Sequence, residues 1–175
     1  MIAWVRTIIL ALGAHLYPGL VIPHLDQTAA AIDSAAHAIP LDGDPSAMAA
    51  ELAVLAATEG HFEAGAVASD RYGQSFGLWQ IHETTLTGYL HASQADAEDP
   101  VQAAVLAAWL IRKSHEVCRG RAAEEQLTWF ASGGPTCTVP EGLAASRRRE
   151  GFVAWVLKAS PPVWVESATI LRKRK

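Results

Sequence analysis

Apolar residues recur at helical spacing through most of the chain. Between residues 25 and 39 they fall at Leu25, Ala29, Ile32, Ala36 and Ile39, steps of four and three that share one helical face. Pro40 stops that helix, and the Leu41-Asp-Gly-Asp44 stretch reads as a turn. Asp44 then offers a side-chain cap and Pro45 suits a first helical position, opening a helix with a stripe at Met48, Leu52 and Leu55. Residues 60–75 contain three glycines and no helical period, so they read as a loop with room for short strands, and Ser75 to His82 as extended or irregular. A short helix is expected over Thr84 to Leu90. Asp99-Pro100 repeats the start signal for a helix to about Val117, apolar all round from Ala103 to Ile111 and therefore expected at the centre of the fold. Two more helices are expected, Ala122 to Ala131 closed by Gly133-Gly134, and about Glu141 to Lys158 closed by Pro161-Pro162. No repeat and no linker divides the chain, which predicts one mainly helical domain.

The first 24 residues carry two readings. A single Arg6 and a short apolar run to Ala14 have the look of an export signal, and a helix packed on the domain explains them equally well. His15, Pro18, Gly19 and Pro23 break the run, so it predicts no stable membrane span, which wants about 20 apolar residues. Composition narrows the class further. Thirty-three of the 175 residues are alanine, the best helix former, and half the chain is apolar with 18% charged, which excludes disorder of the whole. A net charge of −4 argues against a nucleic-acid partner. Two cysteines, Cys118 and Cys137, are too few for a Cys-x-x-Cys zinc site and are either buried thiols or one disulfide. His61 and His82 stand too far apart on irregular chain to argue for a metal, so neither metal nor cofactor is assigned.

Chemistry enters with Glu59. Continuing the Met48–Leu52–Leu55 steps lands on this residue, which puts a carboxyl at the end of an apolar stripe with Gly60 to terminate the helix. No Lys or Arg lies within one helical turn of it in sequence. Such surroundings favour the neutral acid, the form that protonates a leaving-group oxygen, unless partners come from elsewhere or the helix end simply reaches water.

The segment after it is the most specific stretch of the chain. Gln74-Ser75-Phe76-Gly77-Leu78-Trp79-Gln80-Ile81 resembles the Ser-x-Gly-Leu-x-Gln-Ile signature of the soluble lytic transglycosylase and goose-type lysozyme superfamily. Glu59-Gly60-His61-Phe62-Glu63 is similar to that family's catalytic stretch, with Gly60 where serine is usual. Asp99-Pro100 resembles the start of its long helix, and Leu127-Thr-Trp-Phe130-Ala131-Ser132-Gly133-Gly134 its Ala-Tyr-Asn-Ala-Gly segment. Phe130 stands where the family usually has a tyrosine whose hydroxyl approaches the catalytic glutamate, and a phenyl ring offers no such hydrogen bond.

The resemblance implies a lysozyme-like helical domain over residues 25–162 with a small loop or short β segment beside a glycan cleft, between the N-terminal segment (1–24) and a basic tail (163–175). It implies a lytic transglycosylase that cleaves the β-1,4 bond between N-acetylmuramic acid and N-acetylglucosamine, with Glu59 as general acid and base and 1,6-anhydromuropeptides as products. Ser75, Gln80, Trp79 and Phe130 are the candidate substrate contacts, and Glu63 and Asp70 the candidates for a second carboxylate. A lysozyme-type hydrolase, or a non-catalytic glycan-binding part of an envelope or phage-derived assembly, are the alternatives. Peptidoglycan as partner implies an extracytoplasmic monomer (periplasmic, envelope-bound, secreted or phage-associated), and that setting turns the cysteine pair toward a disulfide. Arg147-Arg148-Arg149 and the terminal Arg172-Lys-Arg-Lys175 are either solvated charges or attractors of an anionic polymer.

Overall fold

The computed structural model describes residues 1–70, 73–132 and 136–159. The centre of the fold is α3 (Pro45–Thr58). Asp44 caps it as the sequence predicts, its side chain accepting from the Ser46 amide at 2.8 Å with Pro45 in the first turn. Every residue of α3 from Met48 to Ala57 is buried, Glu51 included. Five alanines among those ten residues keep the helix thin, so neighbours close on it from all sides. Around it pack α1 (Ile2–Leu16), α2 (Leu25–Ala38), α6 (Pro100–Val117) and α8 (Pro140–Ala159).

The central place expected for α6 belongs to α3. Val101 and Val105 of α6 face solvent, and its buried face is Ala103, Ala104, Ala107, Ala108, Leu110 and Ile111. Apolar composition alone did not distinguish a helix that is buried from one that is merely aliphatic on its wet side. The α1 helix buries Val5, Ile8, Ile9 and Leu12 against α2 and α3, so the N-terminal segment packs on the domain. Among the described residues no helix is long and apolar enough to cross a membrane.

The loop region resolves into a three-stranded antiparallel sheet, β1 (Val67–Asp70), β2 (Gly73–Phe76) and β3 (Ile81–His82), in that order. Ser75 pairs with Ala68 on one side and His82 on the other. Two short helices follow: α4 (Glu83–Thr85), leading into a π-helical turn over Leu86–Leu90, and α5 (Gln94–Glu98). The latter is fixed by a capping box in which Ser93 and Asp96 satisfy each other's backbone N–H groups. The continuous helix expected over Ala122 to Ala131 is instead a 3-10 turn (Ala123–Glu125) followed by α7 (Thr128–Ser132). The break is held by side chains: the Thr128 hydroxyl donates to the Glu125 carbonyl and the Leu127 amide to the Ser146 hydroxyl on α8. Cys118, at the end of α6, is disulfide-bonded to Cys137 with Cα atoms 5.6 Å apart. The Gly133-Gly134 and Pro161-Pro162 stops and the basic tail lie outside the described residues.

Candidate functional site

Glu59 is the C-cap residue of α3, its amide still bonded to the Leu55 carbonyl. The chain then turns sharply: His61 and Phe62 both take left-handed backbone (φ 51° and 63°), and the Phe62 amide reaches back to the Ala56 carbonyl. Burial of the Phe62 ring anchors the turn. Gly60 is demanded by packing, because a Cβ there would run into the backbone of Leu78. That contact brings the Gly77–Gln80 loop against the end of the Glu59 helix, and it explains glycine where the family usually has serine. Gly77 is likewise constrained, with φ at 76° and the Ala97 carbonyl where a Cβ would stand.

The Glu59 carboxylate has a partner that sequence proximity could not reveal. Arg149, ninety positions later on α8, donates to its Oε1. The Thr58 hydroxyl lies 3.2 Å from the same oxygen. The expected isolation of the carboxyl is therefore overturned, because α8 packs on α3 and delivers a guanidinium to the helix end. The Arg149 guanidinium carbon stands 6.0 Å from the centre of the Phe130 ring, so Phe130 flanks the cation paired with Glu59. Arg149 Nη1 is buried with no hydrogen-bond partner among the described residues.

A pocket of about 150 Å³ opens at this point, lined by Leu16, Tyr17, Thr58, Glu59, Arg148, Arg149 and Phe152. The Tyr17 hydroxyl donates to the Ala57 carbonyl at 3.0 Å, and burial, then the charge of Glu59, pushes its pKa up. A phenol thus does reach the glutamate's surroundings, from α1 rather than from the Phe130 position. The volume falls below the several hundred Å³ of a typical small-molecule site.

The other sequence-predicted residues separate. Trp79 is a core residue, 1% exposed with its indole donating to the Leu52 carbonyl at 2.9 Å, so neither face is open to a sugar ring. Gln80, at φ 46°, donates from Nε2 to the carbonyls of Ala66 and Gly77 and pins the loop, while its Oε1 is buried without a partner among the described residues. Ser75 sits half-buried on β2. Glu63 and Asp70 are both exposed, on the loop and on β1. The three consecutive arginines divide: Arg149 turns to Glu59, Arg148 lines the pocket, and Arg147 pairs with Glu125 at 2.5 Å. Sequence reasoning also missed an aromatic group, Tyr89 packed against Trp109 and Trp129 with centroids 5.2 and 5.6 Å away. Both tryptophans are half-buried and Tyr89 is exposed.

No curated protein and no solved structure matches this chain. A family model does: the transglycosylase SLT domain matches residues 43–133, a span that runs from the Asp44 cap through Glu59 and the Ser75–Ile81 segment to Phe130. With more than half of its length in that match, the chain belongs to the transglycosylase SLT domain family, in the lysozyme-like superfamily.

Proposed function

We propose that this protein is a peptidoglycan lytic transglycosylase that works outside the cytoplasm as a monomer, with Glu59 as its one catalytic carboxyl. The observation that carries the reading is the position of Glu59, ending a buried helix beside a loop whose backbone is held in costly conformations at His61, Phe62 and Gln80. Left-handed non-glycine residues cost roughly 1–3 kcal/mol each and gather where function repays them.

In the proposed reaction the Glu59 carboxyl protonates the oxygen between N-acetylmuramic acid and N-acetylglucosamine, and the C1–O bond breaks. The resulting carboxylate then takes the proton of the muramic acid 6-hydroxyl as that oxygen bonds to C1. Glu59 ends as it began, and no water is consumed. The intramolecular hydroxyl has the advantage of proximity over water. The exposure of Glu63 and Asp70 supports a single-carboxyl scheme. Arg149 must leave Glu59 before proton delivery, since a general acid has to be neutral at that moment. An anionic group of the substrate that engages the guanidinium, including its unpartnered Nη1, would draw it away. Ser75 and Gln80 shape the cleft wall in this scheme, and the exposed Tyr89 with its two tryptophans offers apolar surface for sugar rings.

Two observations favour a second reading. The Arg149 contact and the missing hydroxyl at Phe130 both suit a glycan-binding domain that performs no chemistry. Mass spectrometry of purified peptidoglycan after digestion decides. Products carrying 1,6-anhydromuramic acid are expected; reducing-end muramic acid makes the protein a hydrolase, and intact glycan makes it a binding domain.

A further inference from the structure

Two turns before Glu59, α3 carries a second acidic residue in a very different place. Glu51 is 2% exposed, the one ionisable side chain in the all-buried stretch of the helix. Facing it are His115 from α6 and Glu150 from α8, and one donor atom from each of the three lies within 4.8 Å of the others. His115 Nε2 stands 3.4 Å from Glu51 Oε1 and 4.0 Å from Glu150 Oε1. Three of the converging atoms, Glu51 Oε2, His115 Nε2 and Glu150 Oε1, are buried without a hydrogen-bond partner among the described residues. Nor does any described lysine or arginine pair with either carboxylate there; the nearby Arg149 is committed to Glu59.

We infer that Glu51, His115 and Glu150 form a binding site for one divalent transition-metal ion, of which zinc is the natural probe. The imidazole is already prepared for the task. Its Nδ1 lies 2.8 Å from Gln126 Oε1, and the Gln126 amide nitrogen is directed to the Arg121 carbonyl, which leaves Oε1 as an acceptor. Nδ1 therefore carries the proton, and in the neutral ring Nε2 presents its lone pair to the two carboxylates. This second-shell arrangement, one ring N–H held by an acceptor, orients metal-ligating histidines.

Spacing and charge agree with the ion. Ligands at zinc distances on a tetrahedron stand roughly 3.3–3.6 Å apart, close to the separations around His115 Nε2. Two carboxylates and a neutral imidazole balance a doubly charged ion. The nitrogen donor favours zinc-like ions over magnesium or calcium, which take all-oxygen sets. The free Glu51 Oε2 can complete the set by bidentate ligation. The ion would clasp α3, α6 and α8 together in the core, behind the Glu59 end of α3, as a structural site rather than a part of the reaction.

The test uses the full-length, tag-free protein stripped with a chelator, then given zinc and desalted. Retention of one zinc per chain is expected, with a higher melting temperature and, for cobalt substitution, the intense visible absorption of a low-coordinate site. His115→Gln and Glu51→Gln should each weaken zinc binding on the order of 100-fold or more. Equal retention by wild type and both variants, or none by wild type, would overturn the inference. Should either variant fail to fold, X-ray absorption of the zinc-loaded wild type decides: one imidazole with oxygen donors supports the site, whereas several imidazoles place the ion on surface histidines and overturn it.

Discussion

Glu51 and Glu59 lie on the same helix, about 12 Å apart along its axis, and both meet the same stretch of α8. Their neighbours there are adjacent residues with opposite effect. Arg149 brings a guanidinium to Glu59, whereas Glu150 brings a second carboxyl toward Glu51. The first carboxylate sits at a helix end with 23% of its side chain exposed, paired with a cation and lining a pocket. The second is sealed in the core with an imidazole and another acid. Identical side chains on one helix are thus set up for different work by what packs against them. In the proposed reaction the first exchanges its partner and meets a substrate, whereas the second, sealed in the core, is satisfied by a proton or, on the inference above, by an ion.

The largest separation of the two regions should come from activity. Glu59→Gln keeps the size of the side chain but removes the acidic proton, so turnover on peptidoglycan should fall by about 10²–10⁴, while the fold survives with a lower melting temperature because the buried Arg149 loses its counter-charge. A fully active Glu59→Gln variant would refute the catalytic assignment. Next in size is the disulfide, which ties the chain after α7 to the end of α6, the helix that carries His115. Cys118→Ser should cost roughly 3 kcal/mol in a chain-entropy account, read by denaturant unfolding, and should loosen both regions rather than one.

A pH titration of stability then probes the core cluster alone. Burial, followed by the nearby charge of Glu51, pushes the Glu150 carboxyl up to about 9. For His115 burial pulls downward, but the adjacent Glu51 carboxylate and the Gln126 hydrogen bond outweigh it, and the net shift is upward. Both groups hold their protons more tightly folded than unfolded. The stability they add is complete below their unfolded values and is lost as pH rises through the folded ones. Chelator-treated protein should therefore lose melting temperature between about pH 5 and 9, and Glu150→Gln should flatten that decline; an unchanged slope in the variant would break the contrast. The smallest effects belong to Glu63→Gln and Asp70→Asn, exposed changes expected to alter stability by no more than about 0.5 kcal/mol and to leave muropeptide release close to wild type. A loss comparable to that of Glu59→Gln would promote one of them to a second carboxylate.

Much of the scaffold was readable because its signals are local. The Asp44-Pro45 and Asp99-Pro100 starts, the Pro40 stop and the 3.6-residue period of α2 rest on contacts within a few residues, and each element stands where those signals put it. The capping box at Ser93 was equally local and went unread because α5 is only five residues long. The break between the 3-10 turn and α7 was not local: it depends on Ser146 of α8 accepting the Leu127 amide. Trp79, a candidate substrate contact by resemblance, belongs to the core for a similar reason, since its partner, the Leu52 carbonyl, lies 27 residues earlier.

The sequence by itself determined a helical domain, a glutamate at a helix end, and a glycine loop of a recognisable family, because propensity, capping and motif are written in neighbouring residues. Tertiary structure alone decided what that glutamate meets. Arg149 reaches it across ninety positions, Tyr17 approaches from the opposite end of the chain, and Glu51, His115 and Glu150 converge from three helices. Coulomb interactions and desolvation depend on distance in space, and helix packing sets that distance without regard to order along the chain.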